Sequence, residues 1–413
     1  MGNNYTRKGW IVVFSATGIT LAAGLFYVWS VISNGLIQQY KWTGMQTSLP
    51  YTISTVAFVI SMVVFGKIQD KKGPRLCTVL SGILIGSGMV LSGFVKAPWV
   101  MIITFGILTG AGIGITNIVT APALKWFPPE KKGLISSIVV CGAGLAPIIY
   151  SPLTNYLINT VGIARTFISI GVVVCFIIVF LARLIDDPPP GLVKSSDNRK
   201  QSAGNALDLT SLEMLKTADF YKLWLILALS AAAGLMIFAH ATTIARVQAH
   251  WDSGYLLVIL LAVFNAAGRL GGGTLSDLIG RTHLLRAIFL LQVINLLLSP
   301  RYASVPLLAA GIAVTGFYYG GIFSVFPALA ADFFGLKNFG ANYGLIFTAW
   351  GLSGIIGPTT AAGVFDATGS FNLSYLIAAG LLLVAFVITF ALRETAAGAQ
   401  PMADKKAHGT PAR

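Results

Sequence analysis

The chain is a succession of long apolar runs separated by short polar ones. A helix needs about 20 apolar residues to cross the ~30 Å hydrocarbon core of a bilayer. Twelve runs meet that length: 10–37, 48–67, 77–95, 98–124, 134–159, 165–184, 220–246, 254–274, 283–300, 304–331, 341–365 and 372–392. They are too long and too uniformly apolar for the alternating strands of a membrane barrel, so helices are the spanning form the pattern allows. One long polar interruption, DDPPPGLVKSSDNRKQSAGNALDLTSLEMLKT, divides the runs six and six. The pattern therefore predicts an all-α membrane protein with twelve transmembrane helices in two six-helix bundles. The bundles cover residues 1–184 and 220–392, with a linker at 185–219 and a polar tail at 393–413. Inside the linker, LTSLEMLKT predicts a short surface helix capped by Thr210 or Ser211.

Composition sharpens this picture. Only 10% of the 413 residues are charged and 55% are hydrophobic, against about 25% charged residues in a soluble domain. The net charge of +14 suggests nucleic acid until the cations are located. Arg7, Lys8, Lys67, Lys71, Lys72, Arg75, Lys125, Lys131, Lys132, Arg281, Arg286, Lys337, Lys405 and Lys406 fall on one side of the predicted membrane, as does the central linker. The other side carries Lys41, Lys96, Arg165, Arg246 and Arg301. The positive-inside rule then predicts both termini in the cytoplasm of a plasma (inner) membrane and a lipid rather than nucleic-acid partner. Cys77, Cys141 and Cys175 lie in apolar runs without metal-ligand spacing, so no metal or other cofactor is expected. The polar start MGNNYTRKG leads straight into a full-length span and shows no removable signal pattern.

Against this background Arg269 stands out, because it is the one Lys, Arg, Asp or Glu in the middle of an apolar run. A guanidinium in the bilayer costs about 2.5 kcal/mol or more, so the residue should face a cavity. Its planar fork matches a carboxylate with two parallel hydrogen bonds. Snorkelling, or pairing with helix-end carbonyls near Gly271, Gly272 and Gly273, is the structural alternative. Asn265 lies one helical turn earlier on the same face. It can donate to a ligand oxygen or simply hold a neighbouring helix.

The two halves repeat. GKIQDKKGPR (Gly66 to Arg75) follows the second run, and GTLSDLIGR (Gly273 to Arg281) follows the eighth. In each, an aspartate (Asp70, Asp277) comes four residues after the first glycine and another glycine (Gly73, Gly280) comes seven after it. PALKWFPPEKKG after the fourth run likewise matches PALAADFFGLKNFG after the tenth. The glycines permit a tight turn and close helix approach, and the aspartate suits a helix N-terminus. Two copies in register predict a gate or hinge on the cytoplasmic side, with an ordinary polar turn as the plainer reading.

These loops resemble the G-x-L-x-D-R-x-G-R signature of the major facilitator superfamily. The second copy matches at Gly273, Leu275, Asp277, Gly280 and Arg281, with Leu278 where a basic residue is usual. The first has Gly66, Asp70, Lys71 and Gly73, but Pro74 replaces the basic residue and Arg75 follows late. Within the superfamily, KWFPPEKKG, FNAAGRLGGGTLSD, FYYGGIFSVFPALAADFFGLKNFGANYG and TAWGLSGIIGP resemble the monocarboxylate and oxalate/formate transporter group, and the likeness covers essentially all twelve runs. The resemblance implies a secondary transporter working by alternating access, with an arginine at the Arg269 position binding the substrate carboxylate. In many proton-coupled relatives the Asn265 position holds an aspartate that takes the proton; asparagine cannot.

Several further residues are candidates for the substrate path. His240 is the one histidine well inside a run and the candidate for proton coupling, or else a packing residue. Asn117 lies mid-run in the Gly-rich fourth span. Tyr27, Tyr318, Tyr319 and Ser353 offer hydroxyls, while Leu145, Phe347 and Trp350 offer apolar walls for a methyl group. For each, ordinary packing is the alternative. A single intramembrane cation favours a monocarboxylate such as L-lactate, pyruvate or formate over oxalate. The expectation is proton symport by a monomer, with oxalate/formate-type organic-anion antiport as the alternative. No H-E-x-x-H, nucleotide loop or Ser-His-Asp set argues for an enzyme, and no filter motif argues for a channel.

Overall fold

The computed structural model describes residues 2–189, 208–251 and 254–392. The tail and most of the linker lie outside these residues. The described chain is helical: α1 Gly2–Ala22, α2 Trp29–Tyr40, α3 Gly44–Lys72, α4 Pro74–Ser92, α5 Pro98–Met101, α6 Gly110–Asn117, α7 Thr120–Lys125, α8 Lys132–Ala182, α9 Ser211–Met214, α10 Ala218–Phe238, α11 Ala241–Ala249, α12 Tyr255–Ile279, α13 Arg281–Leu298, α14 Val305–Phe334, α15 Phe339–Thr368 and α16 Asn372–Phe390. Among the described residues, eleven helices are long and apolar enough to cross a membrane. One of them, α8, has 51 residues. At 1.5 Å per residue it would measure roughly 77 Å if straight, more than two bilayer cores. It is two spans joined at Gly162, whose φ of 81° and ψ of 163° break the helix, so the chain makes the twelve crossings that its pattern predicts.

Three predicted spans are interrupted. The first passes from α1 through a 3₁₀ turn, Gly24–Val28, into α2. The fourth passes from α5 through a π-helical stretch, Ile102–Thr109, into α6 and then α7. The seventh ends as α10 at Phe238 and restarts as α11 at Ala241, with His240 at the N-cap in a non-helical conformation. Outside the membrane, α9 forms where LTSLEMLKT predicts it. Thr210 is the cap: its Oγ1 accepts from the Glu213 N–H while the Glu213 carboxylate accepts from the Thr210 N–H at 2.8 Å. Hydrogen bonds to the carboxylate from the Thr210 N–H and hydroxyl hold the Glu213 carboxyl below its ordinary pKa.

By contacts the chain forms two compact units. Of the described residues, those within 1–126, 138–190 and 337–356 form the first, and those within 127–137, 191–336 and 357–413 form the second. Each unit therefore takes in a short piece of the other sequence half. In the second unit, α12 packs along α14. A Cβ on Gly320 would collide with the Asn265 carbonyl oxygen, and one on Gly268 with the Phe317 carbonyl oxygen. Gly268, Gly272 and Ser276 on α12, with Gly316, Gly320 and Ser324 on α14, are spaced by four. This is the small-residue stripe that lets membrane helices touch backbone to backbone. That contact seats the residue of greatest interest.

Candidate functional site

Arg269 sits on α12 inside the second unit and is 4% exposed. Its guanidinium is thus carried within protein, not in lipid. The Nε–H donates to Asn265 Oδ1 at 2.8 Å, one turn back on the same helix. Its Cζ lies 5.5 Å from the centre of the Phe323 ring on α14, in cation–π range. Asn265 is also buried, at 3% exposed. The Asn265 contact fixes the guanidinium through its Nε edge, and a guanidinium can make two parallel bonds to a carboxylate. Phe323 continues into a chain of rings: Tyr319 lies 4.8 Å from it and Phe238 lies 4.4 Å from Tyr319.

The remaining candidates in this unit are placed differently. Tyr318 and Tyr319 are both buried among helices. The Tyr318 hydroxyl donates to the Ser230 carbonyl at 2.7 Å, and its ring meets Phe289. His240, at the break in the seventh span, has Nε2 3.1 Å from the Pro358 carbonyl oxygen and its ring 5.5 Å from Phe371. It is half-buried at a helix junction, not in the middle of a continuous helix.

In the first unit, Phe347 and Trp350 on α15 pack against Phe58 on α3, with ring centroids 5.7 and 5.2 Å apart. Phe58 continues to Phe26, and Phe26 to Tyr51. Ser353 is buried and donates to the Ala349 carbonyl on its own helix at 2.7 Å. Asn117 is half-buried at the end of α6, where its Nδ2 donates to the Ile113 carbonyl at 3.1 Å. Leu145 is half-buried on α8. Tyr27 lies in the 3₁₀ turn between α1 and α2, and its side chain is outside the described residues.

The repeated loops have one geometry in both units. Asp277, near the end of α12, accepts from the N–H groups of Gly133 at 3.0 Å and Leu134 at 2.7 Å, in the first turn of α8. Asp70, near the end of α3, accepts from Gly340 at 3.1 Å and Ala341 at 3.0 Å, in the first turn of α15. A carboxylate at a helix N-terminus satisfies orphan N–H groups and the positive end of the dipole. The Gly-x₃-Asp spacing explains itself here. A Cβ on Gly273 would collide with Gly133, and one on Gly66 with Gly340, so the first glycine admits the helix end that the aspartate, one turn on, then caps. Gly73 and Gly280 close each copy with φ of 86° and 92°, in the left-handed region that favours glycine.

Beyond the caps the copies part. Arg281, 3% exposed, donates through Nε to the Asp332 carboxylate, and its Nη1 lies 3.6 Å from Asp277. Lys132 reaches the other Asp332 oxygen at 3.2 Å. In the first unit Pro74 starts α4 at a position suited to it. Arg75 donates instead to the Arg183 carbonyl at 2.8 Å, while Lys125 pairs with Asp187 at 3.1 Å.

The residues that sequence reasoning missed are those defined by a partner on another helix. They are Phe323, Phe58, the glycines 268 and 320 under Arg269, Asp332, and Gly133 and Gly340 under the caps. A signal existed for the last three, since each stands in a repeated loop whose two copies end in glycine.

The chain belongs to the Major Facilitator Superfamily, whose profile matches residues 13–299 and 256–411. It is 31% identical over 360 residues to YhjX of Escherichia coli (strain K12), an uncharacterized MFS-type transporter, covering 86% of this chain and 87% of that one. It is 27% identical over 386 residues to the oxalate:formate antiporter of Oxalobacter formigenes, covering 92% and 90%. With monocarboxylate transporter 13 of Bos taurus it shares 23% identity over 391 residues, covering 91% and 87%. Among solved structures, the proton:xylose symporter XylE superposes with a TM-score of 0.77 at 14% identity, covering 95% and 97%, which shows the shared fold. The protein is thus a transporter and not an enzyme, related to monocarboxylate and oxalate:formate transporters.

Proposed function

We propose that the protein is a secondary active transporter of small monocarboxylates, L-lactate first and pyruvate or formate next, in which Arg269 binds the substrate carboxylate. The observation that carries this reading is the buried guanidinium, oriented through Nε by Asn265 and backed by the Phe323 ring. One buried guanidinium fork suits one carboxylate, and the aromatic residues beside it suit a short apolar remainder. In this proposal Tyr319 belongs to the same lining, and Phe347 and Trp350 form a second apolar surface in the first unit. Transport runs by alternating access, with release of the Asp277 and Asp70 caps as the gating step. Both termini face the cytoplasm of a plasma (inner) membrane, and the unit of function is a monomer.

Electrogenic uptake of an anion would be opposed by about 2.3 kcal/mol per 100 mV, so a proton accompanies the substrate. Asn265 cannot carry it, and His240 is the titratable group assigned to it. Antiport is the second reading. It draws on the oxalate:formate antiporter's similarity along nearly the whole chain and on the neutral residue at position 265.

Radiolabelled L-lactate uptake into proteoliposomes separates the two. Symport predicts uptake stimulated by an inward proton gradient and abolished when the gradient collapses. Uptake indifferent to the gradient but accelerated by anion trapped inside would establish exchange. In the symport case His240→Gln should lose gradient stimulation while retaining lactate–lactate counterflow; a variant that keeps both would remove His240 as the proton carrier.

A further inference from the structure

A groove of about 590 Å³ runs along the first unit between α4 and the second half of α8. Its floor is made by helix contact: a Cβ on Gly86 would collide with Cys175, and one on Gly171 would lie 2.7 Å from the Met89 Cβ. Ile83, Ser87 and Val90 line one wall. Val172, Phe176 and Phe180 line the other, with the last two rings stacked 6.2 Å apart. At one end the lining changes from apolar to cationic. Arg183 closes the groove there, and Arg75 joins it by donating to the Arg183 carbonyl. Both arginines are exposed, and among the described residues neither is within ion-pair distance of a carboxylate. Of the acidic residues that follow Arg183, Asp187 pairs through Oδ2 with Lys125, and Asp186 accepts the Asp187 N–H.

The dimensions are those of a single leaflet. From Val172 to Arg183 the helix rises roughly 16 Å at 1.5 Å per residue, about half of a ~30 Å hydrocarbon core. We propose that this groove is a binding site for one anionic phospholipid, its acyl chain lying along Val172, Phe176 and Phe180 and its phosphate held by Arg183 and Arg75. Charge complementarity selects the occupant. A zwitterionic lipid gains the same apolar contact but carries its own cation to the two guanidinium groups. Each basic residue near an anionic lipid surface contributes enough to change occupancy about 5-fold, and the pair about 25-fold if they act independently.

Native mass spectrometry of the purified protein, after titration with either phosphatidylglycerol or phosphatidylcholine of matched acyl chains, tests this directly. The expected result is one tightly retained phosphatidylglycerol per chain, with phosphatidylcholine retained at least about 10-fold less. Arg183→Gln with Arg75→Gln should remove that preference. Ser87→Trp fills the groove without changing charge and should lower retention of the same lipid. Equal retention of the two lipids, unaltered retention by the arginine double variant, or unaltered retention by Ser87→Trp would each overturn the assignment, leaving an ordinary annular lipid.

Discussion

Arg269 and Asn265 act as one device. The asparagine carbonyl takes the Nε–H, so the direction of the guanidinium is set by a neutral partner that does not compete as an anion. Asn265→Asp puts a carboxylate in that place. It should weaken lactate binding at neutral pH and introduce a pH dependence the native protein lacks at this position, with binding recovering as the carboxylate protonates. Lactate KM measured across pH 5 to 8 checks it; a profile identical to the native one would remove Asn265 from the site. Tyr318 supplies the contrast. Its hydroxyl is held by the Ser230 carbonyl, so Tyr318→Phe should lower thermal stability by about 1 kcal/mol and leave lactate KM within about two-fold, because the loss falls on packing. Legibility at this scale followed chemistry. Arg269 was visible because a charge in an apolar run is costly in lipid, and Asn265 because i and i−4 share a helix face. Phe323 was not, because a phenylalanine in a membrane helix is unremarkable until the facing helix is known. The hydroxyl of Ser353 was nominated on the same general grounds as Tyr318, yet it bonds to its own helix.

At the scale of helices, the α12–α14 contact holds the pair in place. Gly320→Leu would drive a side chain into the Asn265 backbone and should separate the helices, lowering yield and melting temperature before any effect on transport can be read. Gly363, with open space around its Cβ position, is the control: Gly363→Ala should not lower the melting temperature. The loop caps give a second test. Asp277→Ala and Asp70→Ala each weaken a helix N-terminus by roughly 1 kcal/mol, about 5-fold in the population of the capped state. Amide exchange at 132–137 should rise in the first variant and at 339–342 in the second. Unchanged exchange in both would dissociate the caps from helix-end stability. On the surface, the lowered Glu213 pKa means that the α9 cap contributes fully above the ordinary glutamate pKa and is lost as pH falls through the lowered value. The repeat exposed Asp70 and Asp277 in the sequence, because matched spacing is a linear signal. It did not expose the break at His240, since the run through that position is apolar and holds no proline or glycine at 239–240; the break exists only against Pro358 and Phe371.

Over the whole molecule, hydropathy carried the fold. Twelve long apolar runs form helices because the bilayer demands that every backbone group be satisfied within the spanning segment. The two units defined by contact cut across the two sequence halves, exchanging 127–137 for 337–356. No pattern of hydropathy announces such an exchange, because it depends on which helix ends the capping carboxylates hold. The central claim concerns those helices' cargo, and Arg269 tests it most directly. Lactate–lactate counterflow in proteoliposomes should be compared for the native protein, Arg269→Lys and Arg269→Gln, each shown to be folded. Loss of a charge-assisted pair worth about 1.5–3 kcal/mol predicts a KM raised roughly 10- to 100-fold in Arg269→Gln, with Arg269→Lys between it and the native protein because it keeps the charge and loses the fork. Counterflow in Arg269→Gln with the native KM would contradict the account, since the carboxylate would then be bound elsewhere.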